Sequence, residues 1–118
     1  MASTTAVALG ETFDVLTHPY RRYVLYYLRT QSEVVAIETL TAMITNELEG
    51  PSATGGSETS EHIETALHHT HLPKLADAGL ITIEQDGQSI EFDGIHEHVR
   101  FIDQAARIDG YAPPVASN

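Results

Sequence analysis

The sequence predicts a mainly α-helical domain with a β-hairpin and an additional C-terminal helix, and three observations carry that expectation. Apolar residues recur at helical spacing in four stretches, two β-rich runs flank the turn dipeptide Asp86-Gly87, and 118 residues suffice for one core and little more.

Met1–Gly10 (MASTTAVALG) is small and polar enough to be an arm, although Val7 and Leu9 can pack on a partner. The first helix signal is LTHPYRRYVLYYLRT, where Thr17 or His18 can cap and Pro19 occupies the first helical position, which tolerates a missing N–H. Tyr20, Val24, Tyr27 and Leu28 then mark its core face, widened by Leu25. Val34 and Val35 suit a short edge strand. A second helix follows from Ile37, Leu40, Ile44 and Leu48; Ala36 stands at its N-cap position and cannot accept the orphan N–H bonds, so a weak start is expected.

Gly50–Ser57 (GPSATGGS) is a flexible connection by composition. The third helix opens with capping Ser57, Thr59 and Ser60 and early acids Glu58 and Glu61, buries Ile63, Leu67, Leu72 and Leu75, and stops at Gly79. Pro73 removes the bond to the His69 carbonyl, so a kink or break is expected there. Asp86-Gly87 suits a two-residue type I′ turn between the hairpin strands. The last helix carries two apolar stripes, Ile95, Val99, Ile102 and Ala106 on one and Phe101, Ala105 and Ile108 on the other, which suggests one side for the core and one for a partner. Residues 111–118 read as a tail.

Composition excludes several functions. Without Cys there are no disulfides, thiolate metal sites or thiol nucleophiles. No apolar stretch approaches a membrane span and the N-terminus lacks a basic signal region, so a cytoplasmic protein with no membrane partner is expected. The 17 acids against six basic residues, five Arg and Lys74, give a net charge of −11. The acids are scattered rather than run together, which fits a surface adapted to molar salt, where the Debye length shrinks to about 3 Å.

The order helix, short strand, helix, helix, glycine, hairpin is the plan of a winged helix-turn-helix, in which the third helix enters the major groove and the hairpin reaches flanking backbone or minor groove. Specific residues add a resemblance. LTHPYRRYVLYYL resembles the first helix of prokaryotic winged-helix repressors, and HLPKLADAGLI is similar to the stretch that ends their third helix and enters the wing. The fuller LHHTHLPKLADAGLI, in an acidic chain, resembles small haloarchaeal winged-helix transcription regulators, among them oxidative-stress regulators. The likeness covers about Phe13 to Phe92. It implies transcription regulation by a homodimer on a palindromic double-stranded DNA operator, with an oxidant as signal. On this reading residues 1–11 are an arm, 12–93 the DNA-binding domain, 94–110 a dimerisation helix and 111–118 a tail. The longer connection before the third helix and Pro73 within it depart from the standard motif.

For DNA the expected contacts are Ser57, Thr59, Ser60, His62, Thr65, Ala66, His69 and Thr70 on the third helix, Lys74 beside it, Arg21 and Arg22 at the first helix, and Gln88 and Ser89 in the wing. Short hydroxyls and imidazoles can donate to phosphates or base edges without fixed charge, and with so many acids nearby, monovalent cations are expected at that interface. The dimer interface is expected at Ile95, Val99, Phe101, Ile102 and Ala105. His62, His68, His69 and His71 invite a metal, but no second cluster completes a site, so neither metal nor cofactor is expected. No paired-carboxylate or phosphate-loop pattern supports an enzyme; GPSATGGS lacks the lysine of a P-loop. The alternative is a winged-helix protein-interaction adaptor whose negative surface rejects DNA.

Overall fold

In the computed structural model, the described residues are 10–49, 56–94 and 96–112, with side chains for all of these except 56–58 and 96. The arm up to Leu9, the connection from Gly50 to Gly55, Ile95 and the tail from residue 113 lie outside them. Among the described residues, six α-helices, one π-helical turn and three strands follow in order: α1 (residues 10–15), α2 (Pro19–Arg29), β1 (Val35–Ala36), α3 (Ile37–Glu49), α4 (Gly56–Ala66), the π-helical turn (Leu67–His71), α5 (Leu72–Asp77), β2 (Ile81–Ile83), β3 (Ser89–Phe92) and α6 (His96–Asp109). The protein is mainly helical with a small antiparallel sheet of order β1-β3-β2, pairing Val35 with Ile90 and Ile81 with Phe92. None of these helices is long and apolar enough to cross a membrane.

His18 caps α2, its Nδ1 accepting from the Tyr20 amide at 3.1 Å, with Pro19 in the first turn. The inward face of α2 is Arg21, Val24, Leu25, Tyr26 and Leu28, while Tyr20 and Tyr27, expected inside, are half-buried. A tyrosine ring can pack while its hydroxyl stays wet, which lets the helix turn Tyr26 inward instead.

At the start of α3 the helix runs straight out of β1, and the Ile37 amide donates to the Gln88 carbonyl at 2.8 Å, so backbone beside β3 satisfies one of the orphan donors that Ala36 cannot. Val35 and Ile90 bury the sheet against the helices.

Around Pro73 the chain neither breaks nor ends. Residues Leu67–His71 widen into a π turn in which the Leu72 amide donates to the Leu67 carbonyl, and Pro73, which has no amide to give, follows directly in the first turn of α5. α4, the π turn and α5 therefore form one uninterrupted helical rod. Gly79, at φ +79°, ends it: its amide donates to the Ala76 carbonyl and that of Leu80 to Leu75, both at 3.0 Å.

The hairpin turn is longer than two residues. A type I′ turn needs positive φ at both central positions, but of the pair only Gly87 has it, at +69°. The Gly87 amide instead closes on Glu84 at 2.9 Å, and Asp86 accepts from the Gln88 amide at 2.8 Å.

The α6 helix lies along α2 and completes the core. Ile102 is 1% exposed and belongs to the same cluster as Leu25 and Leu28, which corrects its assignment to a dimer interface. A branched aliphatic side chain already surrounded by its own chain has no surface left to offer a partner. Val99 is half-buried, and the stripe of Phe101 and Ile108 faces outward.

Candidate nucleic-acid interface

The rod α4–α5 divides cleanly by face. Ile63, Leu67, His71, Leu72 and Leu75 are buried, whereas His62, Thr65, His69 and Thr70 are exposed and Thr59, Ser60 and Ala66 half-buried. Thus the expected contacts from His62 to Thr70 come together as one outward stripe of hydroxyls and imidazoles. Ser60 sits against α3, its Oγ 3.4 Å from the Thr45 hydroxyl, and is partly spent on that contact. The Ser57 side chain lies outside those described. Exposed Glu61 and half-exposed Glu64 flank the stripe, and Glu64 lies 3.8 Å from His68. No group of three or more metal-ligating side chains gathers among the described residues.

His71 points the other way. It is 6% exposed, its ring lies 4.1 Å from that of His18, and its Nδ1 accepts from Arg21 Nη1 at 3.0 Å, which leaves the proton of the neutral ring on Nε2. Burial, reinforced by His18, Arg21 and Lys74, lowers its pKa to about 4. The rod is thereby tied to α2 through a neutral imidazole.

Arg21 and Arg22 require a correction as phosphate contacts. Arg21 is 7% exposed; besides His71, its Nε donates to the Val15 carbonyl at 2.9 Å and its Nη2 to the Thr17 hydroxyl at 3.3 Å. Arg22 is paired with Asp109 at 2.7 Å and donates to the Leu16 carbonyl at 2.9 Å. Burial opposes ionisation of Asp109, but the Tyr26 hydroxyl, at 2.6 Å, and Arg22 outweigh it and hold the carboxyl below its usual range. Both arginines thus pin helices to one another. Lys74 stays about half exposed beside the rod, 3.6 Å from Asp14.

At the hairpin tip Gln88 is exposed, its backbone engaged by Asp86 and Ile37 and its side chain outward, while Ser89 is half-buried in β3 opposite Ala36. Three partners escape sequence reasoning: Asp109, Asp14 and His18 as a stacking ring. Each answers a residue on another element, and Arg22 and Asp109 stand 87 positions apart, so no local spacing signals them.

The family model described as a domain of unknown function, DUF7344, matches residues 13–91, which is more than half of the chain, and the chain belongs to that family. No curated protein and no solved structure matches it.

Proposed function

We propose that this member of the family is a winged helix-turn-helix regulator that binds double-stranded DNA as a homodimer at high salt. One observation carries the reading: a helical rod fully packed on one side presents His62, Thr65, His69 and Thr70 on the other, and a hairpin with exposed Gln88 follows it. In this reading the stripe enters the major groove and the hairpin braces the backbone. Thr65→Ala or His69→Ala is expected to weaken operator binding by about 1–3 kcal/mol with little change in melting temperature. A loss of folding without a specific loss of binding would place that face inside.

The electrostatics give the reading its sharpest consequence. Arg21 is buried and Arg22 is engaged by Asp109, while Lys74 stands exposed on the same rod as the stripe and Glu61 and Glu64 would approach phosphates. Such an interface takes up cations instead of releasing them, and affinity is expected to hold or rise across roughly 0.5–3 M KCl, against the usual decline. Gel shifts with the protein's own promoter test this. A steep fall of affinity with salt sinks cation uptake, and no retardation at any salt favours the adaptor.

For the dimer, the outward stripe of α6 supports a seam at Phe101, Ala105 and Ile108, joined by Phe13 from α1. Phe13 and Phe101 meet edge to face at 5.6 Å yet remain 52% and 36% exposed, and Ile108 is 78% exposed along a groove of about 430 Å³. Contiguous large apolar groups left in water mark an interaction surface. Phe101→Glu combined with Ile108→Glu is expected to yield folded monomers by light scattering and to abolish tight operator binding. A persistent dimer moves the seam elsewhere.

A further inference from the structure

We propose that the cavity between the end of α2 and α6 is a binding site for a small aromatic carboxylate. Its volume, about 230 Å³, lies below the ~300–1,000 Å³ of drug-sized sites and admits a single ring bearing one acidic group. The walls supply the apolar part: Tyr26 and Ile102 are buried core residues, Ala106 packs beside them, and the rings of Tyr26 and Tyr111 stand 5.2 Å apart in tilted orientation.

Charge and unmet hydrogen bonding select the anion. In a chain of net charge −11, the described residues lining this cavity bring two guanidiniums, Arg29 and Arg107, against one carboxylate, Asp103. Arg29 reaches Asp103 through a single contact, Nη2 to Oδ2 at 3.2 Å, and its buried Nε donates to nothing among the described residues. The buried Tyr111 hydroxyl also lacks a partner there, and Arg107 makes no ion pair there. Buried donors without acceptors are rare because each forfeits its bond to water. A ligand carboxylate between the two arginines supplies acceptors for Arg29 and Arg107, with the Tyr111 hydroxyl as a further donor. The surplus of a single positive charge suits a monoanion better than a phosphate dianion. The site stands apart from the outward stripe of the α4–α5 rod and does not rest on the DNA-binding reading.

Calorimetric titration of the full chain with benzoate, at fixed KCl and neutral pH, tests the proposal. Saturable one-to-one binding is expected, weakened roughly tenfold by Arg107→Gln and by replacing benzoate with neutral benzamide. Tyr111→Phe is expected to weaken it less, and Arg100→Gln, on α6 outside the cavity, to leave it unchanged. Absence of saturable binding overturns the proposal. So does equal loss in Arg100→Gln, which would mark general charge attraction, or acetate binding as tightly as benzoate, which would mark an adventitious ion only.

Discussion

Ile102→Glu is expected to abolish cooperative folding, and Ile102→Ala to lower stability by about 2–5 kcal/mol. Ile102 is 1% exposed within the cluster that joins α6 to α2, so truncation leaves a cavity walled by side chains that relax only partly. A carboxylate there loses its hydration and gains no partner to replace it, which adds several kcal/mol to a total stability of about 5–15 kcal/mol. For a chain of this size the alanine variant should melt roughly 10–20 °C lower. Thermal unfolding followed by circular dichroism reads both variants. The neighbouring Phe101→Glu is the control, because its ring is 36% exposed and its loss should change association more than folding. A well-folded monomer for Ile102→Glu would return Ile102 to a subunit interface and sink its place in the core.

Stability is expected to fall by about 2 kcal/mol between pH 7.5 and pH 5 through His71 alone. The imidazole is neutral in the fold with its pKa lowered to about 4, while in the unfolded chain it titrates near the model value of 6.5. The unfolded state therefore binds more protons anywhere between those values. Its contribution is complete above about pH 6.5 and is lost as pH falls through about 4. His18, also lowered, first by burial and then by Arg21 and Arg22, adds a loss of the same sign. His71→Gln keeps an acceptor for Arg21 but cannot titrate, so its urea midpoint should vary less with pH across this range. Equal pH dependence in both proteins, at matched ionic strength, would show that His71 titrates freely in the fold.

Features set by neighbours in sequence were legible before the structure. The Pro19 start, the Gly79 stop and the strand at Val35 follow from residues within one turn or one pairing of each other, and the structure has all three. Features set by what arrives from elsewhere were not. Arg21 and Arg22 look like free cations until Val15, His71 and Asp109 are brought to them by folding. Ile102 and Phe101 are adjacent on a helix with two apolar stripes, and periodicity alone does not say which stripe meets α2. Ala36 fails as a cap by its side chain, yet one orphan donor, the Ile37 amide, is met by the backbone of Gln88, more than fifty residues away.

The π turn has a consequence for the length of the chain. In an α-helix of 3.6 residues per turn, an inward stripe recurs at i, i+3, i+4 and i+7. The inward residues Leu67, His71, Leu72 and Leu75 instead stand at i, i+4, i+5 and i+8. Removing one residue between Leu67 and His71 would restore the regular series with every inward residue unchanged. The rod therefore holds one residue more than its core requires, and the wide turn absorbs it. That surplus falls among His68, His69 and Thr70, of which the last two are exposed, so the insertion lengthens the outer surface while the inner one keeps its alignment.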